Sequence, residues 1–203
     1  MNDLFRLKKN QVKPAAKVLT RAFENDPLFI AYFPDPTKRV KQKYHLMKYV
    51  IRYCIRFGEV YTTSPKLEGI ALWQFKDPAE EHKDKPKSLF ENWLSFKLEV
   101  SLGGVVEKVY SIYDYMISTQ YELVPLPHWY LVIIGVDPDF QGKGYGSRLI
   151  KPMLSRIDKE QLNCYLDTNI EKNERLYQHF GFKTLKKYQI PGSNVINWSM
   201  VRE

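Results

Sequence analysis

An apolar run over 129–136, the turn Gln141-Gly142-Lys143-Gly144-Tyr145-Gly146 and a helical pattern over 147–157 follow one another directly. A strand, a glycine-rich turn and a helix start, in that order, constrain the chain more than any other feature. Glycine accepts positive φ and lets the backbone come close to a ligand. The first amides of a helix lack internal partners, and the helix dipole adds partial positive charge there. The turn is therefore expected to hold an anion, and a phosphate suits it. Two familiar phosphate loops do not fit. Gly142-Lys143 is followed by Gly144, where the P-loop needs Ser or Thr. The dinucleotide turn Gly-x-Gly-x-x-Gly fails at its last gap, because Gly142, Gly144 and Gly146 alternate. A third pattern, Gln/Arg-x-x-Gly-x-Gly/Ala, is met by Gln141, Gly144 and Gly146.

The rest of the chain reads as one domain, 1–203, with a helical insert over about 86–122. A length of 203 residues with 44% hydrophobic and 14% aromatic content is enough for one core. No stretch approaches the ~18 uninterrupted apolar residues of a membrane helix. The N-terminus lacks the pattern of a signal peptide. Cys54 and Cys164 lie far apart in apolar patterns and read as buried thiols of a cytoplasmic protein. No Cys/His cluster is present, so no metal is expected. The net charge, 31 − 23 = +8, favours anions in general, but the basic residues are scattered. A polyphosphate cofactor is expected, and neither nucleic acid nor membrane as a partner. A monomer and a homodimer are both compatible.

Helical spacing predicts helices over 14–23 and 38–57, the first ended by Asn25-Asp26-Pro27 and the second capped by Gly58. A hairpin is expected over 59–63 and 69–75, then a polar loop over 76–88. Residues 89–122 read as helix in two pieces split at Gly103-Gly104, with Trp93, Tyr113 and Tyr115 either in the core or walling a pocket. The run 131–136 predicts a buried central strand. Pro152 should kink or weaken the helix after it. A strand over 163–168, a short helix over 173–180 and an antiparallel pair over 182–190 and 195–201 complete a mixed α/β sheet.

A second motif lies in Asn173-Glu174-Arg175-Leu176-Tyr177-Gln178-His179-Phe180-Gly181-Phe182. Asn173 and Tyr177 share one helix face. Together with the glycine turn, this stretch resembles the GNAT superfamily of N-acetyltransferases. Trp129-Tyr130-Leu131, Ile134-Gly135-Val136-Asp137-Pro138, Leu166-Asp167-Thr168 and the early Ala22-Phe23-Glu24-Asn25-Asp26-Pro27 look most like its puromycin N-acetyltransferase group. Residues 76–127 carry little of the likeness.

The resemblance implies an α/β (α+β) GNAT fold: a mixed sheet of about six or seven strands with flanking helices and a splayed central strand pair. It implies acetyl-CoA as donor and CoA as product, with a primary amine of a small molecule as acceptor. A protein or peptide acceptor, and a non-catalytic acyl-CoA sensor, are the alternatives. Cofactor contacts would come from Ile134, Gly135, Val136, Gln141, Gly142, Lys143, Gly144, Tyr145, Gly146, Ser147 and Asn173. Tyr177 would be the general acid, since a phenol of pKa about 10 is protonated at neutral pH. Asp26, Phe29 and Tyr32 would line the acceptor side. Asp167 and His128 are the candidate bases, with Glu122 a further one. Alternation over 164–168 does not decide whether Asp167 faces cleft or solvent.

Overall fold

The computed structural model describes residues 4–77 and 105–203. Seven strands form one sheet in the order β1-β2-β3-β4-β5-β7-β6. They are β1 (Phe5–Arg6), β2 (Glu59–Thr62), β3 (Gly69–Lys76), β4 (His128–Val136), β5 (Asn163–Thr168), β6 (Lys183–Gln189) and β7 (Ile196–Arg202). Neighbours run antiparallel except β4 and β5, which run parallel at the centre. The helices are α1 (Val12–Ala22), α2 (Pro27–Tyr32), α3 (Pro36–Phe57), α4 (Val105–Leu123), α5 (Tyr145–Glu160) and α6 (Glu171–Gln178). On one face, Ala15, Ala16 and Leu19 of α1, Met47 and Ile51 of α3 and Val109 of α4 share a core with Ile70 and Leu72 of β3. On the other, Leu149, Ile150, Met153 and Ile157 of α5 pack with Trp73, Leu131 and Leu166. β6 closes one edge of the sheet; its residues alternate between exposed and half-buried, and it carries Lys183, Lys186 and Lys187.

Each predicted helix and strand that falls on described residues is present, with ends moved by a few positions. Two differences are physical. Asn25-Asp26-Pro27 ends α1, and it also starts α2, a helix not among those predicted from helical spacing. The Asp26 side chain accepts from Leu28 N at 2.9 Å and Phe29 N at 3.3 Å, and Pro27 takes the first helical position. Gly58 is the C-cap of α3, as expected, but not in the left-handed conformation. Its φ of −163° is extended, and a Cβ there would lie 2.2 Å from the Trp73 carbonyl oxygen. Pro152 lies inside α5, as expected, and the helix runs on both sides of it from Tyr145 to Glu160. Trp93, the split at Gly103-Gly104 and most of the loop over 76–88 lie outside the described residues.

The centre of the sheet opens. β4 pairs with β5 only through His128–Leu131, opposite Asn163–Leu166. Beyond that point β4 continues to Val136 with β3 alone as partner. The register between β3 and β4 shifts just there: Leu72 faces Ile133 and Trp73 faces Leu131, which leaves Val132 as an extra residue. Such a bulge bends a strand and raises its twist. It also resets the alternation. Trp129 and Leu131 pack towards α5, Val132 and Ile133 both pack towards the α1–α3 core, and Ile134 returns to the α5 side.

Gly135 fixes where α1 lies on the bent half of β4. A Cβ at this position would fall 2.8 Å from Leu19 Cδ2, 3.0 Å from Phe23 Cε2 and 3.1 Å from Ala22 Cβ. Gly135→Ala should therefore overpack this seam and lower the unfolding free energy by about 1–3 kcal/mol. Urea titration measures it, and unchanged stability would mean that α1 is not seated on Gly135.

Candidate active site in the strand wedge

The wedge between the ends of β4 and β5 is a cavity of about 140 Å³ that includes Ile133 and Ile134 of β4, Asp167 and Thr168 of β5 and side chains from both faces of the sheet. One side presents Asn173 and Tyr177 of α6; the other presents Phe23, Asp26, Phe29, Tyr32, Tyr113 and Tyr130. The sheet is thus open through its thickness at one point.

Backbone polarity along β4 follows from its pairing with β3. Asp137 N donates to Glu68 O at 2.8 Å, and Gly135 lies opposite Ile70 two positions along the same register. Antiparallel ladders alternate between residues that bond to the partner and residues that point away. Asp137 and Gly135 therefore face β3, while the amides and carbonyls of Ile134 and Val136 face the open edge. The Gln141 side chain takes one of these groups, donating from Nε2 to Val136 O at 3.1 Å. Gly135, expected as a backbone contact, instead has its polar groups directed at β3, and its missing side chain makes room for α1.

From the end of β4 the chain turns through Pro138–Phe140 into the glycine loop. Gly142 and Gly144 take φ of 75° and 79°, and Gly144 is the N-cap of α5. Arg148 N is the first amide to bond back, to Gly144 O at 3.1 Å. The amides of Tyr145, Gly146 and Ser147 before it have no helical acceptor. Nothing lies within 4 Å of where a Cβ would stand on Gly142, Gly144 or Gly146, so the groove above them is open. Lys143 Nζ donates to Asp139 O at 2.9 Å and lies over the Phe140 ring. Arg148 lies over the Tyr145 ring. An open strand edge that leads to a row of free helix-start amides fits an extended chain ending in a diphosphate.

Tyr177 is a buried member of the α5-side core, and its ring meets Phe182 edge-on at 5.9 Å. Burial raises its hydroxyl above the ordinary phenol range, so it holds its proton. Asp167 turns to the opposite face and is only half-buried. Its Oδ1 accepts from Asn197 Nδ2 at 2.7 Å, Tyr165 OH at 2.8 Å and Ser199 Oγ at 2.9 Å. Desolvation pushes its pKa from 3.8 up to about 6, against those three hydrogen bonds, which pull it down. Asp26 also lines the cavity, with its pKa raised by burial.

The structure does not bring the other base candidates to the wedge. His128 starts β4, at the opposite end of the strand, and is fully buried. Nε2 lies 2.8 Å from Gln120 Nε2 and Nδ1 3.1 Å from Pro125 O, and desolvation lowers its pKa to about 4. It is a packed, neutral side chain and not a base for this cleft. Glu122 is exposed near the end of α4. Of the insert aromatics, Tyr113 lines the cavity, whereas Tyr115 stacks edge-on with Tyr188 at 5.5 Å. Sequence reading missed Tyr130 and the Asn197–Ser199 support of Asp167. The one signal for the latter is two polar residues at strand spacing around Trp198, both fully buried.

Residues 104–184 match the family model of the acetyltransferase (GNAT) domain. The chain is similar to the uncharacterized N-acetyltransferase C550.08 of Schizosaccharomyces pombe, 27% identical over 190 residues, 87% of this chain and 72% of that protein. Among solved structures, it superposes on a histone acetyltransferase HPA2 and related acetyltransferase from Corynebacterium glutamicum with a TM-score of 0.69, at 20% identity over 98% of this chain and 94% of that one. Arylalkylamine N-acetyltransferase 2 from Aedes aegypti gives 0.67, at 12% identity over 98% and 97%. These structural likenesses concern the fold.

A raised carboxylate pKa has a signed effect on stability. The folded protein holds the Asp167 proton more tightly than the unfolded chain. The resulting stabilisation is complete below the unfolded value of 3.8 and is lost as pH rises through about 6. Asp167→Asn, which keeps an acceptor oxygen for Tyr165 and Ser199, should gain stability relative to wild type as pH climbs across that window. A ¹³C titration of the Asp167 carboxyl should show a midpoint near 6; a midpoint at the ordinary aspartate value would refute this account of the cleft.

Proposed function

The chain carries a GNAT acetyltransferase domain, and from that premise we propose that it moves an acetyl group from acetyl-CoA to a primary amine of a small molecule, by direct attack in a ternary complex. The observation that carries this reading is the wedge itself, where groups from both faces of the sheet meet at the gap between β4 and β5. Acetyl-CoA, when bound, would supply an activated acetyl thioester. Ile134 and Val136 would offer open-edge backbone groups to its pantetheine arm, and Gln141 to Ser147 would surround the diphosphate with amides. Asn173 would bond the arm from α6. The Ile134 amide is suited to stabilise negative charge on the acetyl oxygen.

An amine attacks only in its neutral form. Asp167, with a pKa near 6, is ionised at neutral pH and takes the proton of the incoming ammonium on its free oxygen. As the nitrogen–carbon bond formed and the carbon–sulfur bond broke, the nitrogen would release its second proton to solvent and Tyr177 would give its own to the departing sulfur. Tyr177 would then recover a proton from solvent, and Asp167 would release the one it had taken. Cys54 and Cys164 are buried thiols outside the cavity lining, in keeping with transfer without an acyl-enzyme. Both suit the cytoplasm, where thiols stay reduced. The aromatic wall of Phe29, Tyr32 and Tyr113 and the modest cavity volume favour a small acceptor over a peptide strand.

Acetyl-CoA should raise the melting temperature by mass action, by an amount equivalent to about 2.7 kcal/mol at a hundredfold excess over Kd. Adenosine should do so less. Gly144→Val forces a branched side chain to a φ of 79°, a strain of about 1–3 kcal/mol. Acetyl-CoA should then bind about tenfold weaker, and full retention would remove the loop from the donor site. Tyr177→Phe should lower kcat by about a hundredfold or more while leaving acetyl-CoA affinity in place. Unchanged turnover with an accepted amine would remove Tyr177 from the acid role.

A further inference from the structure

Two carboxylates enter the acceptor half of the cavity, each half engaged with the protein. Asp167 accepts its hydrogen bonds on Oδ1. Asp26 likewise accepts from Leu28 N and Phe29 N on Oδ1. The Oδ2 of each has no hydrogen-bond or ion-pair partner among the described residues. Asp26 is only 9% exposed and still lines the cavity. A buried charge without a counter-charge is costly and is normally paired. The nearby cation, Lys43, attracts Asp26 from a distance without forming an ion pair with it, and its Nζ donates to Phe23 O at 2.7 Å. Tyr32 stands near both acids. Burial, followed by the charges of Asp26 and Asp167, raises its hydroxyl pKa. Tyr32, Phe29 and Tyr113 supply ring faces and edges along this wall, which suit both methylene groups and an ammonium.

We infer that the acceptor is an aliphatic diamine, whose reacting nitrogen lies at Asp167 and whose distal ammonium is held by Asp26. This rests on the acetyl-transfer reading and narrows its substrate class. One acid removes a proton and the other keeps its cation, so the two have different tasks on one molecule. A monoamine fills one acid and leaves the other without a paired cation. Asp26 is thus the residue that sets specificity for a second positive charge.

The test measures binding apart from turnover. The full chain, saturated with CoA, is titrated by calorimetry with 1,4-diaminobutane and 1,5-diaminopentane, and with 1-aminobutane and 1-aminopentane. The diamines should bind about ten- to a hundredfold more tightly than the matched monoamines, the range of one charge-assisted hydrogen bond. Asp26→Asn should bring that ratio down towards one. Asparagine caps a helix as well as aspartate does, so α2 is kept. A ratio near one in the wild type, or a ratio that survives Asp26→Asn, overturns the proposal. Thiol release from acetyl-CoA reports separately on the reaction. Diamine preference in binding without thiol release upholds the two-acid site and overturns acetyl transfer. Thiol release with equal kcat/KM for both amine classes and no binding preference upholds acetyl transfer and overturns the diamine site.

Discussion

The extra residue in β4 at Val132 is the constraint on which the rest of the structure depends. A ladder continued to Val136 would use the polar groups of Ile134 and Val136 against β5 and shut the middle of the sheet. Pairing stops at Leu131 instead. Buried backbone groups are almost always bonded, so an open edge in a central strand is stable only where water or a ligand reaches it. The same bend brings the end of β4 towards the glycine loop, and Gly135 lets α1 follow the bent strand closely. The open strand edge and the close seat of α1 therefore both follow that irregularity in β4.

Charge in the molecule is divided by location. The whole chain carries +8, yet the cavity wall that holds Phe29, Tyr32 and Tyr113 also displays two carboxylates, Asp26 and Asp167. Asp167 is held at a fixed orientation by donors from β5 and β7, and Asn197 in turn bonds Tyr188 OH at 2.9 Å. That network pulls the pKa down while desolvation pushes it up, and desolvation prevails. The balance leaves a carboxylate that is ionised at neutral pH and still readily protonated.

Much of the scaffold is legible in the sequence, because its signals are local. Helical spacing marks α1, α3 and α5, and the alternating glycines mark the loop, two of which do take positive φ. The start of α2 is hidden in the sequence because Asp-Pro serves as a helix stop and a helix start with the same residues. Gly58 does stand at the C-cap of α3, but the reason a glycine is needed there is the Trp73 carbonyl, fifteen positions away in sequence and adjacent only across the hairpin. His128 adjoins a catalytic-looking strand in sequence, but the length of β4 puts it at the far end. The bulge at Val132 has no sequence signature at all, and with it goes any forecast of which β4 groups face the gap. Alternation within β5 left the direction of Asp167 undecided; pairing with β7 fixes it beside Asn197 and Ser199.

The lysines of β6 give part of the positive charge a different meaning. β6 ends the sheet, and such a rim offers unbonded amides and carbonyls to any passing strand. Lys183 and Lys187 project exposed from it, and Lys187 and Lys186 lie over the Trp198 and Tyr188 rings. Two such rims brought together would face one another with like charges and a hydration shell to strip. At the other rim, β1 is a mere two residues long. Positive charge placed on this rim thus works against edge-to-edge pairing of two copies, a colloidal consequence of where these lysines stand.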